Sequence, residues 1–178
     1  MHIQSEPLPG IKIIKPYSHK DTRGKFVKTF HEGQFAELGI QMKIREEFFS
    51  ISSQNVLRGM HFQTPPNAHQ KLVYCIRGSV LDVVLDLRKG STSYGKSAAF
   101  KLSETNGHLV YIPIGFAHGF LSLENDSCLV YKTDSVHAPA NDSGIHWNSI
   151  GYSWGISQPI LSPRDEAFPT LSSYNSPF

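Results

Sequence analysis

The sequence has few of the features that mark a secreted, membrane-bound or disulfide-stabilised protein. Only two cysteines, Cys75 and Cys128, occur among its 178 residues, and they do not form a CxxC pair. We therefore expect reduced, buried thiols in a cytoplasmic protein. No apolar run approaches the roughly 18 residues of a membrane-spanning helix, and residues 1–10 do not resemble a signal peptide. These absences predict a globular protein without a membrane partner.

An excess of charge of either sign is also lacking. Seventeen Lys and Arg residues oppose fifteen Asp and Glu residues, which gives a formal net charge of +2. No segment gathers the basic residues into a cluster of the kind that binds nucleic acid, so nucleic acid is not an expected partner. The net charge neither requires nor excludes an anionic small molecule.

Helical periodicity is almost absent, whereas short segments rich in β-branched and aromatic residues recur between glycine-rich and polar turns. This spacing predicts an all-β sandwich or barrel in a single domain, residues 1–178. A short helix is expected at residues 31–39, and irregular structure at residues 144–178. The predicted strands are residues 11–17, 24–30, 71–78, 79–88, 97–103, 108–113 and 128–134.

Residues 107–120, GHLVYIPIGFAHGF, match the spacing of the second sequence motif of the cupin barrels and include His118. The first cupin motif supplies histidines and a glutamate as metal ligands, but Lys71 occupies the glutamate position. An ammonium group repels a divalent cation, and His61, His69 and His118 lack the expected carboxylate partner. The sequence therefore predicts no metal site.

The segment VLRGMHFQ, residues 56–63, places Arg58 and His61 three residues apart, on opposite faces of a regular strand. Gly59 lies between them, and a bulge there would turn both side chains toward one ligand. Asp82 and Asp86 are four residues apart and share one face of the predicted strand 79–88. That face either lines the interior or is exposed to water.

Histidine–carboxylate pairs, a lysine and a tyrosine are the groups needed to remove a proton next to a carbonyl. A histidine, His61 or His118, would be the base, its carboxylate partner would fix its tautomer, Lys71 would stabilise an enolate oxygen, and Tyr131 would return a proton. Arginine side chains would hold a phosphorylated substrate.

The chain resembles the dTDP-4-dehydrorhamnose 3,5-epimerase family, cupin-fold enzymes that invert the carbons flanking the C4 ketone of nucleotide-linked 4-keto-6-deoxyhexoses. The resemblance implies a double-stranded β-helix (jelly-roll) barrel, a nucleotide-sugar substrate and no metal or organic cofactor. It also implies a homodimer with exchanged N-terminal strands. The matching blocks are DTRGKF (21–26), NVLRGMHFQ (55–63), KLVYCIRGSVLDVVLDLRKGSTSYG (71–95), LVYIPIGFAHGF (109–120), LVYK (129–132), GIHW (144–147) and LSPRD (161–165).

The resemblance also implies roles for individual residues. His61 is similar to the family's general base, Asp165 to its carboxylate partner and Tyr131 to the acid on the other face of the sugar. Lys71 would lie near the enolate oxygen. His118 and Asp82 would form a second, buried pair that shapes the sugar pocket.

Further residues are implied to bind the substrate. Arg58 and Arg23 would contact the diphosphate, with Arg23 supplied by the neighbouring subunit, and Arg164 is a surface charge within possible reach of a phosphate. His69 and His137 are expected at the pocket rim or in solvent. The rest of the predicted substrate-binding set is Phe26, Lys28, Glu46, Gln63 and Val136.

Several of these positions depart from the family's pattern. Many members have Glu where Lys28 stands, Gln and Asn where Glu46 and Phe48 stand, and an aromatic residue where Val136 stands. The sequence therefore leaves open the nucleotide and whether C3, C5 or both are inverted. It also leaves open three alternatives: a single-centre epimerase of a CDP-linked 4-keto-dideoxyhexose or similar sugar, a 3,4-ketoisomerase of related shape, and a non-catalytic cupin that binds sugar nucleotides.

Overall fold

The computed structural model describes all 178 residues, and most of the regular structure is β-strand. The helices are α1 (Glu32–Glu37) and α2 (Pro163–Glu166), with 3-10 turns at Pro139–Asn141, Trp147–Ser149 and Leu171–Ser173. No helix is long and apolar enough to cross a membrane. The strands β1 to β13 are His2–Ser5, Lys12–Lys15, Tyr17–Asp21, Gly24–Lys28, Glu46–Ser52, Leu57–Gln63, Lys71–Arg77, Ser79–Asp86, Ser97–Ser103, Leu109–Ile112, Phe116–Ser122, Ser127–Thr133 and Asp142–Gly144.

Two antiparallel sheets pack face to face, and this arrangement confirms the predicted all-β, cupin-like class. One has six strands in the order β1-β2-β10-β7-β12-β5, and the other has five in the order β13-β6-β11-β8-β9. Val73 and Leu129 of the first sheet pack with Val84 and Phe120 of the second in a shared core of buried side chains. Interdigitation of this kind is what holds double-sheet jelly rolls together.

The outer face of each sheet is covered by a different part of the chain. Phe35 of α1 packs on Leu72 and Leu109 of the six-stranded sheet. Trp147 and Trp154, from the segment expected to be irregular, pack on the five-stranded sheet. The C-terminal segment is thereby fixed against the sheet that carries His61 and His118.

The predicted strand 11–17 is instead two strands, because Pro16 lies between β2 and β3. Proline has no N–H to donate to a strand ladder, so the chain leaves the main sheet there. The helix predicted at residues 31–39 is confirmed in shortened form: His31 caps its N-terminus by accepting the Gln34 N–H. Gly39, with a φ of +72°, follows the last turn.

Strands β3 and β4 form a separate hairpin that pairs with neither main sheet. Most of its residues are exposed, including the aromatic side chains of Tyr17 and Phe26. An isolated two-stranded hairpin with exposed aromatic residues gains little stability from its own burial.

Candidate active site

A cavity of about 290 Å³ opens between the two sheets. Strands β5, β7 and β12 supply its wall on the six-stranded side, and β6 and β11 supply the opposite wall. Two loops and the start of α2 complete the rim. Of the residues predicted from the sequence, the cavity is lined by Glu46, Arg58, His61, Gln63, Lys71, His118, Tyr131 and Arg164.

A β-bulge in β6 accounts for the presence of both Arg58 and His61 in this cavity. Arg58 pairs with Phe120, and His61 pairs with His118, so two residues of β6 lie opposite Gly119 alone. The extra residue changes the alternation of side chains along the strand. The bulge predicted at Gly59 is therefore present, and it turns the arginine and the histidine to the same side.

The bulge requires glycine, because Gly59 has a φ of +144° and a Cβ atom there would lie 2.5 Å from Cα of Gly119. We expect Gly59→Ala to lower the free energy of unfolding by about 2–4 kcal/mol, through backbone strain and overpacking. Gly90→Ala is the matched control, since its Cβ would meet nothing within 4 Å, and it should change stability by less than about 0.5 kcal/mol. Equal urea-unfolding midpoints for the two variants would contradict this account.

His61 and Asp165 form a closely bonded pair at the wall of the cavity. Nε2 of His61 lies 2.8 Å from Oδ1 of Asp165, and the N–H of Gly59 donates to Oδ2 at 3.0 Å. Burial raises the pKa of Asp165, but the hydrogen bonds from His61 and Gly59 outweigh it and lower that pKa below its usual value. The ionised carboxylate can only accept, so the proton of neutral His61 faces Asp165 and the other ring nitrogen carries a lone pair.

The protonation of His61 is set by two opposing effects. Burial lowers its pKa below the ordinary value, and the Asp165 carboxylate only partly offsets this, while the positive charges of Lys71 and Arg164 lower it further. His61 is therefore an unprotonated, correctly oriented base at neutral pH.

Lys71, the first residue of β7, reaches across to the other sheet. Its Nζ donates to the backbone carbonyl of His61 at 3.1 Å. Burial lowers the pKa of Lys71 to about 8, although the carboxylates of Asp142 and Asp82 raise it. An ammonium held beside the base is suited to stabilising negative charge that develops on a nearby oxygen.

Tyr131 lies on β12, in the sheet opposite His61. Its hydroxyl is 3.2 Å from Oγ of Ser50, and its ring stacks on Phe48 with centroids 4.8 Å apart and planes 13° apart. Burial raises the pKa of Tyr131 above its ordinary value. The phenol is therefore protonated at neutral pH and able to donate a proton from the wall facing the base.

His118 and Asp82 form a second pair that is almost completely buried. Nε2 of His118 lies 3.0 and 2.9 Å from the two carboxylate oxygens of Asp82. Burial raises the pKa of Asp82, and His118 opposes that rise. Asp86 is also buried and binds Arg88, so the alternative that both aspartates face water is wrong.

Two arginines lie at the cavity with exposed side chains. Arg58 donates from Nε to Oγ of Ser52 at 3.1 Å, and Arg164 pairs with Asp142 at 2.7 Å. Both guanidinium groups keep donors available for a further anion, because each has five N–H groups.

Three residues of the predicted set lie away from the cavity within one chain. Arg23, Phe26 and Lys28 belong to the exposed β3–β4 hairpin, and Arg23 binds Asp21 of the same hairpin at 2.6 Å. Val136 does not line the cavity either; its exposed side chain lies on a rim loop whose carbonyl accepts from Gln63 at 3.3 Å. The single chain therefore unites the predicted acid–base residues but not the predicted N-terminal ones.

The structure adds Ser50 and Asp142 to the cavity, which the sequence did not single out, and it shows how Phe48 is used. Phe48 and Ser50 hold Tyr131, and Asp142 of β13 faces Lys71 and Arg164. His69 and His137, expected at the pocket rim or in solvent, both line the cavity, and His69 is part-buried. The alternating apolar residues Phe49 and Ile51 of β5 could have indicated this strand, although they point to solvent.

His61 and His118 are not arranged as two ligands of one metal ion, the arrangement typical of metal-binding cupins. His61 and His118 pair in register on neighbouring strands, but each bonds its own aspartate. No three His, Cys, Asp or Glu side chains are grouped closely enough to hold a metal ion.

The fold and the cavity together define a cupin-like protein that carries acid–base groups on two facing sheets. Comparison with known proteins narrows this class. The family model for dTDP-4-dehydrorhamnose 3,5-epimerase matches residues 5–173. The chain belongs to this family of epimerases.

Individual relatives are similar over nearly their whole length. The dTDP-4-dehydrorhamnose 3,5-epimerase of Escherichia coli K12 is 40% identical over 175 residues, which cover 96% of this chain and 95% of the relative. The dTDP-4-dehydrorhamnose 3-epimerase of Streptomyces niveus is 34% identical over 169 residues, 93% of this chain and 82% of the relative. The Legionella pneumophila enzyme, solved with dTDP-4-keto-L-rhamnose, is 34% identical with a TM-score of 0.93 and covers 98% of this chain and 94% of its own.

Proposed function

We propose that this protein inverts C3, C5 or both in a nucleotide-linked 4-keto-6-deoxyhexose such as dTDP-4-dehydro-6-deoxyglucose, as a step in deoxysugar biosynthesis. The observation that carries the proposal is the His61–Asp165 pair on one wall of the cavity, with protonated Tyr131 on the opposite wall. Inversion requires a base and an acid on opposite faces of the sugar, and this arrangement supplies both.

The reaction proceeds by removal and return of one proton at each inverted carbon. The unprotonated nitrogen of His61 takes the proton from the carbon next to the C4 ketone, and the C–H electron pair moves to form an enolate. Lys71 stabilises the negative charge on the C4 oxygen. Tyr131 protonates the carbon from the other face, the ketone re-forms, and the carbon is inverted. No cofactor is needed, because no electrons leave the sugar.

Charge around the cavity supports a diphosphate-bearing substrate. Arg58 and Arg164 present exposed guanidinium groups at the rim, while Lys71 lies deeper beside the base. The groups that can donate hydrogen bonds to phosphate thus lie at the rim, and the group that can stabilise the enolate lies deeper in the cavity. The sugar would therefore enter first, with the nucleotide near the rim.

The second candidate function is that of an epimerase that inverts a single carbon. The similarity to the Streptomyces niveus 3-epimerase supports this candidate. Lys28, Glu46, Phe48 and Val136 also depart from the pattern of many 3,5-epimerases, so the substrate-reading surface is altered while the acid–base set is intact. This second candidate includes enzymes whose sugar substrate is linked to a nucleotide other than dTDP, such as CDP.

The test is a proton NMR time course in D₂O with dTDP- and CDP-linked 4-keto-6-deoxyhexoses. A 3,5-epimerase should replace both C3–H and C5–H by deuterium, and a single-centre enzyme should replace one. A product with the carbonyl moved to C3 would identify a 3,4-ketoisomerase. Binding without exchange on any nucleotide sugar would overturn the proposal in favour of a non-catalytic cupin.

We also propose that the enzyme works as a homodimer in which the β3–β4 hairpin docks on a neighbour. The hairpin is exposed and unpaired with either sheet, and β5 ends the six-stranded sheet with Phe49 and Ile51 exposed. Docking there would cover these apolar side chains and bring Arg23 to the neighbour's cavity. Native mass measurement should give twice the 19.9 kDa of one chain, and a monomer would leave Arg23 without this role.

The pH profile of kcat/KM should be bell-shaped. His61 must be unprotonated, so activity should rise through its lowered pKa, below the ordinary value of 6.5. Lys71 must be protonated, so activity should fall as pH rises through about 8. Lys71→Arg should move the alkaline limb upward, because the guanidinium does not lose its proton in this range. An alkaline limb that stays in place in Lys71→Arg would assign it to another group.

A further inference from the structure

The side-chain amide of Gln63 is buried and bonded on both sides to rim loops. Its Oε1 accepts the N–H of Ala138 at 2.6 Å, and its Nε2 lies 2.8 Å from the carbonyl oxygen of Asn67. A backbone N–H only donates and a backbone carbonyl only accepts, so these contacts fix which end of the amide is nitrogen. Both ends of the Gln63 amide are therefore bonded to the rim loops, which the side chain ties together.

The same Nε2 lies 3.0 Å from Nδ1 of His69. The amide nitrogen of Gln63 can only donate, and its two N–H groups serve the Asn67 carbonyl at 2.8 Å and Nδ1 of His69 at 3.0 Å, both closer than the Val136 carbonyl at 3.3 Å. Nδ1 of His69 therefore carries a lone pair, and the ring proton sits on Nε2. A second proton on Nδ1 would face the donor and break the contact. Burial and the charge of Lys71 lower the pKa of His69 to about 3 and outweigh the Asn67 carbonyl, which raises it, so the ring is neutral.

The Nε2–H of His69 makes no hydrogen bond within the protein, while the side chain lines the cavity. Its surroundings connect it to the base: Gln63 lies two residues beyond His61 on β6, and Lys71 donates to the His61 carbonyl. An oriented donor without a partner is thus held close to the base.

We propose that His69 is a specificity-determining residue that donates its Nε2–H to an uncharged oxygen of the substrate's sugar, with Gln63 fixing the tautomer. The inference rests on the proposed function and extends it to the sugar. A phosphate is a less suitable acceptor, because its negative charge favours imidazolium, which the Gln63 amide opposes. The exposed guanidinium groups of Arg58 and Arg164 are the donors suited to phosphate.

Two substitutions of His69 distinguish the loss of its Nε2–H donor from the loss of its contact with Gln63. His69→Asn keeps an acceptor oxygen near the position of Nδ1 but lacks the distal N–H. His69→Gln keeps an amide N–H near the position of Nε2. We expect His69→Asn to lower kcat/KM for the nucleotide sugar about tenfold, mainly through KM, and His69→Gln to lower it no more than about threefold.

Inhibition by dTDP alone should be unchanged in both variants, because dTDP lacks the hexose that the substrate carries on its terminal phosphate. A parallel loss of dTDP and substrate affinity in His69→Asn would move the contact to the phosphate and overturn the inference. Wild-type kinetics in His69→Asn would overturn it as well.

The tautomer is measured separately, by nitrogen-15 NMR of histidine-labelled wild-type protein. The His69 signals should show a neutral ring protonated on Nε2 from pH 6 to 8, and dTDP-glucose, which has no ketone and is not turned over, should shift them more than dTDP does. A ring protonated on Nδ1 in an active epimerase would overturn this inference alone. A wild-type protein that exchanges no sugar proton would overturn the proposed function, and the His69 contact with it.

Discussion

Replacing His61 with asparagine should reduce deuterium wash-in at the reacting carbon by roughly 10²–10⁴-fold, the usual contribution of a general base. Asparagine has no basic nitrogen, and it is smaller than histidine, so it fits the site without a clash. The lost exchange would therefore report chemistry rather than folding. The measurement is the rate of C–H signal loss in D₂O, with substrate at saturation.

Asp165→Asn is the informative companion to that variant. It keeps the side-chain shape and an acceptor for the Gly59 N–H, but it removes the charge that orients and raises the basicity of His61. We expect a smaller loss of exchange and an acid limb moved to lower pH, because the carboxylate no longer raises the pKa of His61. Unchanged exchange in His61→Asn would remove His61 from the role of base.

The residues of the site were predictable to different extents, because some interactions join residues close in sequence and others join residues far apart in sequence. The bulge at Gly59 follows from a glycine between Arg58 and His61. Strand alternation places Asp82 and Asp86 on one face, but it does not decide whether that face is buried. Asp165 is 104 residues from His61, and no periodicity links them. Only the family resemblance connected the two, and the sheet packing of the C-terminal segment explains how they meet.

Two parts of the fold were missed for physical reasons. Strand β5 was not predicted because adjacent Phe48 and Phe49 place apolar residues on both of its faces, which obscures the alternation of Phe49 and Ile51. The contact between Gln63 and His69 depends on the rim loops, where side-chain spacing carries no regular signal. The conformation of these loops depends on the positions of their ends, which are set by the packing of the two sheets and not by the loop sequence.

Replacing Tyr131 with phenylalanine should separate proton exchange from inversion. The variant keeps the ring that stacks on Phe48 and contacts the edge of His118, and it loses only the hydroxyl bonded to Ser50. His61 can still remove and return a proton on its own face, so deuterium should still enter the sugar. Net inversion should fall roughly 10²–10⁴-fold, because the opposite face has lost its acid.

The measurement follows deuterium content and product configuration in the same NMR time course. Ser50→Ala is the matched control: it removes the partner of the hydroxyl but leaves the acid, so inversion should fall much less than in Tyr131→Phe. The hydroxyl of Tyr131 lies on the wall opposite His61, and only a proton delivered from there can invert the carbon. Equal losses of exchange and inversion in Tyr131→Phe would show that the hydroxyl acts on the enolate rather than as the second proton donor.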